Sequence, residues 1–107
     1  MNHFVLKDMT PRVPAPGVEM RIIHGEKMTV AFFHLQAGSK IPTHSHPHEQ
    51  IGTVLKGTVE LTVTGEKRVI YPGEVYHIPS KVVHGGKCGN SPAEVIEVFS
   101  PIREDLK

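Results

Sequence analysis

Along residues 58–64 apolar and polar positions alternate strictly, with Val59, Leu61 and Val63 on one side and Thr58, Glu60, Thr62 and Thr64 on the other. That period of two describes a half-buried strand. Gly65-Glu66 supplies a Gly-X turn, and Arg68 to Tyr71 returns as its hairpin partner. Similar short apolar segments recur along the chain. Strands are predicted over Met20–Ile23, Met28–Leu35, Ile51–Lys56, Val75–Ile78 and Ala93–Phe99, with Lys81–His84 as a further extended segment. Gly25-Glu26-Lys27, Ala37-Gly38-Ser39, Pro72-Gly73 and Pro79-Ser80 punctuate them. Residues 10–17 carry three prolines and read as an extended Pro-rich arm, not a central strand. No segment has a helical period, and regularly spaced short strands predict an all-β sandwich or barrel.

Composition supports this reading. Thirteen Val, eight Ile and seven Thr stand against five Leu and four Ala, and β-branched residues fit the pleated surface of a strand better than a helix. The 107 residues fit one domain spanning 1–107. Without tryptophan the core is expected to be aliphatic, with a few Phe and Tyr. Pairs such as Met20 and Met28 read as core fillers.

Charge narrows the function classes. Twelve basic and eleven acidic residues give +1 with neither sign gathered into a block, so no electrostatic footprint for nucleic acid is present. The longest apolar run, Val30–Phe33, is too short to span a bilayer. The N-terminus lacks the regions of a signal peptide, and the single Cys88 fits a reducing, cytoplasmic compartment.

The chemistry concentrates in histidine. His44, His46 and His48 fall within five residues. Residues two apart on an extended strand share a side, so His44 and His46 would direct both imidazoles into one cavity. Gln50 has the same parity. His48 shares it too, although Pro47 can bend the strand. His84 adds a fourth imidazole beside Gly85-Gly86, where a ligand or a second backbone can approach closely. Neutral imidazole is the commonest metal ligand among side chains. His3, His24, His34 and His77 read as surface or supporting groups, and Cys88 as a small buried residue.

These residues resemble the two motifs of the cupins. Gly38, His44, His46, Gln50 and Gly57 keep every spacing of the first motif, with Gln in place of Glu. Gly73, Pro79, Lys81, His84 and Cys88 follow the second, departing at Lys81 (usually Gly) and Cys88 (usually Asn). The resemblance covers 38–57 and 73–88 by motif. It implies a double-stranded β-helix, or jelly-roll, of six to eight antiparallel strands with one divalent metal held by His44, His46, Gln50 and His84. Zn, Ni, Fe, Mn and Cu all suit such imidazole and amide donors.

A narrower resemblance is to the pectin-degradation (KdgF-like) cupins. It rests on the run His44 to Ile51, the Gly65-Glu-Lys-Arg turn and the tail Val98 to Asp105. It implies opening of the ring of 4,5-unsaturated uronates or a related small acid, with an acidic residue, a Phe and an Arg facing the cavity. These map to Glu97, Phe99 and Arg103. Glu97 stands where that group usually has Asp, and Gly52-Thr53 stand where bulkier residues including an aromatic are expected. In this reading Glu97 moves a proton and Arg103 grips a substrate carboxylate through two parallel hydrogen bonds. From the residues alone other placements stay open: Glu97 exposed on the outer face, Arg103 a solvated tail residue pairing Glu104 or Asp105, and Phe99 in the core. A metal-dependent dioxygenase and a non-catalytic small-molecule-binding cupin are the alternative functions, since one barrel hosts many chemistries. A homodimer is expected from open sheet edges.

Overall fold

A computed structural model describes residues 1–107. Ten strands follow one another: β1 Arg12–Ala15, β2 Val18–His24, β3 Thr29–Leu35, β4 Lys40–His44, β5 Glu49–Lys56, β6 Val59–Val63, β7 Glu66–Ile70, β8 Val75–Ile78, β9 His84–Cys88 and β10 Ala93–Ser100. They form two antiparallel sheets, ordered β1-β2-β3-β10-β5-β8 and β4-β9-β6-β7. The only helical pieces are single 3-10 turns at Leu6–Asp8 and Glu104–Leu106. The all-β class therefore holds, but the strand count exceeds six to eight. Two of the strands are the Pro-rich arm, which pairs as the edge strand β1, and β4, which leads into the histidine segment.

Burial follows the pleat. In β10, Ala93, Val95, Glu97 and Phe99 are buried while Glu94, Val98 and Ser100 are exposed. In β5, Gln50, Gly52 and Val54 point inward. Val18, Leu35, Val54, Val59, Leu61, Ile70, Cys88, Ala93 and Val95 form the main core. A smaller cluster of Met20, Ala31 and Phe99 lies at the other end of the sheet. Removing such aliphatic surface from water is worth roughly 1.5–3 kcal/mol per fully buried side chain. The sheet therefore holds its inward residues in fixed register.

Three local expectations are corrected. The hairpin turn centres on Thr64-Gly65, both with positive φ (47° and 82°), and Val63 pairs with Glu66. That is the twist-matching primed turn, so β7 starts two residues earlier than expected. The strand after Pro79 runs over His84–Cys88 and not Lys81–His84, because Lys81 takes a left-handed conformation (φ 68°) that interrupts extension. Met28 is half exposed, because it closes the Gly25–Met28 turn through its carbonyl; Met20 alone is core.

Candidate metal centre and acid–base site

His44 and His84 are brought together by register. They are Cα partners across β4 and β9, and their ring centroids lie 4.4 Å apart. The close passage depends on Gly85: a Cβ there would lie 3.0 Å from the Ile41 carbonyl and 3.2 Å from the Thr43 Cα. This is the close backbone approach that the glycine pair suggested.

His46 arrives differently from the expectation. β4 ends at His44, so His46 stands on a turn and not on a shared strand face. Its Nδ1–H donates to the His48 carbonyl at 2.9 Å, folding the imidazole inward. The turn is pinned from outside by the Lys81 N–H on the His46 carbonyl (2.8 Å) and by the Ser80 hydroxyl on the Pro47 carbonyl (2.6 Å). The His46 ring lies 5.0 Å from that of His84 and 5.5 Å from that of His44. His48 is buried but turned away, its Nε2 3.2 Å from the Ile102 carbonyl.

Each of the three imidazoles is oriented by one backbone carbonyl. His44 Nδ1 meets the Pro42 carbonyl at 2.7 Å, and His84 Nδ1 meets that of Val82 at 2.8 Å. A carbonyl only accepts, so Nδ1 carries the proton and Nε2 presents its lone pair. The ligating atoms of the triad lie within 4.8 Å of one another. His46 Nε2 and Gln50 Oε1 are buried polar atoms with no hydrogen-bond partner. Orphans of this kind are costly unless a ligand satisfies them, and imidazole with an amide oxygen is a donor set suited to a divalent transition metal. Burial, with Arg103's charge second, pushes the His46 imidazole down to about 4, and burial also lowers that of His84. Both therefore stay neutral and able to ligate at neutral pH.

Glu97 lies beside this group and not on the outer face. In the six-stranded sheet its cross-strand neighbours are Ala31 on β3 and Gly52 on β5. The small Gly52 leaves room for the ring of Tyr76, which lies over it. Glu97 Oε2 accepts from Gln50 Nε2 at 2.6 Å and from the Tyr76 hydroxyl at 2.7 Å. Burial pushes its carboxyl up, outweighing those two hydrogen bonds.

Arg103 is buried although it follows the last strand. Its backbone N–H donates to Thr29 Oγ1 at 2.8 Å, and its guanidinium carbon stands 4.6 Å from the centre of the Phe99 ring. Nε and Nη2 donate to Asp105 at 3.0 and 2.8 Å, holding that carboxyl down at about 2. The ion pair with Asp105 and the placement beside the cavity thus coexist, leaving Nη1 without a protein partner. Phe99 is fully packed and also turns its ring toward His46, with centroids 5.6 Å apart. His44, His84, Gln50, Glu97, Phe99 and Arg103 all line one cavity of about 300 Å³. Apolar side chains such as Met20, Phe33, Ile41 and Leu61 complete its wall.

Sequence reasoning missed Tyr76. The aromatic expected at positions 52–53 comes instead from the neighbouring strand. Gly52 pairs with Tyr76 across β5 and β8, and a Cβ on Gly52 would overlap the Tyr76 ring and hydroxyl. The available signal was a glycine inside a strand, which marks a close approach.

Residues 31–99 match the cupin domain family. The chain is 29% identical over 109 aligned positions to the pectin degradation protein KdgF of Dickeya dadantii, covering 99% of each. The structure of KdgF from Halomonas sp. superposes with a TM-score of 0.91 at 28% identity, covering 100% of this chain and 99% of that one. An RmlC-like cupin from Shewanella frigidimarina shares the fold, with a TM-score of 0.89 at 24% identity over 100% and 97% of the two chains.

Proposed function

The chain belongs to the cupin domain family, and from that premise we propose that it is a metal-dependent enzyme that opens the ring of a 4,5-unsaturated uronate or a closely related small acid. The observation that carries this reading is that His44, His84, Gln50, Glu97 and Arg103 line one small cavity, with the ligating atom of His46 within 4.8 Å of those of His44 and His84. The full-length similarity to the pectin degradation protein KdgF of Dickeya dadantii, and to the structure of KdgF from Halomonas sp., supports the substrate class.

In this reading His44, His46, His84 and Gln50 hold one divalent metal, drawn from Zn, Ni, Fe or Mn. Bound there, it would supply Lewis-acid polarisation of a substrate oxygen. The net reaction is an isomerisation. The anomeric hydroxyl loses its proton, the bond from the anomeric carbon to the ring oxygen breaks, and the resulting enol takes up a proton on carbon. Glu97 is the group that moves that proton. Both protein donors sit on Oε2, so Oε1 is the oxygen left to exchange a proton with substrate. A carboxyl raised by burial is suited to that work near neutrality. Arg103 anchors the substrate carboxylate through its unpaired Nη1 and the outer edge of its fork, while Asp105 and Phe99 keep the guanidinium from swinging away. Phe99 floors the cavity and excludes water from the acid.

The test is metal analysis of the purified protein followed by turnover of an unsaturated uronate, read as loss of the conjugated enol absorbance. Turnover by protein loaded with one of the four metals and none after chelation is the expected result. No turnover with any of them refutes the enzymatic assignment.

The same reading carries a reducing cytoplasmic setting, consistent with the buried free thiol of Cys88. No helix is long and apolar enough to cross a membrane. It also carries a homodimer built on an open edge, since β1 and β8 end the larger sheet with unpaired backbone groups. A monomer by sedimentation at micromolar concentration contradicts the dimer.

A further inference from the structure

Tyr76 has no place in the reaction outlined above, yet it is partly buried and its hydroxyl makes one hydrogen bond, to Glu97 Oε2 at 2.7 Å. It reaches that oxygen by lying across β5 over Gly52, which stands between Glu97 and Tyr76 in the register of the sheet. Any side chain at position 52 would occupy the space the ring fills. The same Oε2 accepts Gln50 Nε2 at 2.6 Å, and the other end of that amide, Oε1, is the buried atom without a partner.

We propose that Tyr76 is a positioning residue of this site: its hydroxyl, admitted by Gly52, holds Glu97 so that Gln50 is turned to offer its amide oxygen to the metal. This rests on the reading of Gln50 as a ligand. A primary amide can present either nitrogen or oxygen to a neighbour, and the neighbour decides which. With Tyr76 donating to it, Oε2 is the poorer place for a proton in the neutral acid, and in the ionised acid it carries none. In both forms Oε2 accepts, so the Gln50 amide must meet it with N–H and its oxygen must face the other way. Partners that orient a ligand in this manner are typically worth 10- to 100-fold in metal affinity.

The experiment uses Co²⁺ alone as the probe, titrated into apo protein and read by its visible absorption bands. Tyr76→Phe keeps the ring that packs over Gly52 and removes only the hydroxyl. It should weaken Co²⁺ binding on the order of 10-fold and shift the bands in the direction that Gln50→Ala shifts them. In a Gln50→Ala background the same substitution should change the affinity less than about twofold, because the amide it orients is gone. Wild-type affinity and spectrum in Tyr76→Phe, with Gln50→Ala weakened, overturn the positioning role and leave the ligand set standing. An equal loss in both backgrounds also overturns it, since a general structural effect does not need Gln50. Unchanged affinity in Gln50→Ala refutes the ligand assignment itself, and the inference with it.

Discussion

Thr29 Oγ1 accepts the backbone N–H of Arg103 at 2.8 Å, joining the first residue of β3 to a residue seventy-four positions later. Thr29 is completely buried and also faces His24 Nδ1 at 2.9 Å. One hydroxyl thereby fixes where the chain after β10 turns back over the cavity. Thr29→Val preserves the shape but leaves that N–H buried without an acceptor, at a cost of about 1–3 kcal/mol. Chemical denaturation should show this loss. If substrate anchoring depends on Arg103, KM should rise in the same variant. Unchanged stability would mean that the N–H finds water and that the hydroxyl does not position the segment.

Single replacement of His44, His46 or His84 by Ala should remove or sharply weaken metal binding, since each supplies one of four proposed donors. The protein should stay folded, because burial in the two sheets rather than a metal carries its stability. Gln50→Ala should be milder, as an amide oxygen is the weaker donor and water can replace it. Metal content after dialysis, alongside circular dichroism, measures both halves. Full occupancy in His46→Ala contradicts the ligand set.

Most of this architecture was legible in the chain, for identifiable reasons. The alternation along Val59–Val63 and along Ala93–Phe99 is a direct imprint of the pleat, so Glu97 could be grouped with Val95 and Phe99 by parity, but its inward placing came only from the family resemblance. Spacing carried the histidines, yet the geometry behind it was different. His46 reaches the triad by a turn held by its own ring and by Lys81, not by strand parity. Backbone handedness was the least visible quantity. Thr64 and Lys81 take positive φ without being glycine, shifting one hairpin turn and one strand start. Contacts between strands distant in sequence were not visible either. Tyr76 meets Glu97 only because β8 and β10 both pair with β5.

Lys81 illustrates the cost of such a position. It occupies a left-handed conformation where the cupin motif usually has Gly, and its N–H holds the histidine turn by donating to the His46 carbonyl. A non-glycine residue there stores on the order of 1 kcal/mol or more of backbone strain. Lys81→Gly should therefore stabilise the fold by roughly 1 kcal/mol, or a few degrees in melting temperature. Metal affinity should be unaltered, because the backbone hydrogen bond is kept. A destabilised Lys81→Gly protein would show that unfolded-state entropy outweighs the relief of strain.

Buried titratable groups make the apo protein sensitive to pH from both sides. Burial raises the folded pKa of Glu97 above its usual 4.5. Its contribution is fully present below the unfolded value and is lost as pH rises through the folded one. His46 works in the opposite sense. With its imidazole lowered from 6.5 to about 4, its contribution is complete above 6.5 and is lost as pH falls toward 4. Glu97→Gln should consequently make the chelator-treated protein more stable than the wild type at pH 8, with the gain vanishing near pH 4.5. A gain of equal size at both pH values would assign the effect to packing and not to ionisation.

The same substitution separates chemistry from structure when metal and substrate are present. Glu97→Gln keeps an oxygen able to accept from Tyr76 and Gln50 but removes the transferable proton. Turnover of an unsaturated uronate should disappear while metal content stays at the wild-type level. Glu97→Asp restores the residue usual in the pectin-degradation cupins, but it withdraws the carboxylate by about an ångström from partners now at 2.6 and 2.7 Å. Misplacement on that scale can cost about 100-fold in rate. Gln50 and Tyr76 bound the space in which the longer side chain ends. If that space is tuned to Glu, Asp lowers kcat; if the acid needs only to face substrate, Asp preserves or raises it. Equal turnover by wild type and Glu97→Gln refutes the proton-transfer role. Glu97 would then be the anchor that orients Gln50, and the proton would have to pass through water.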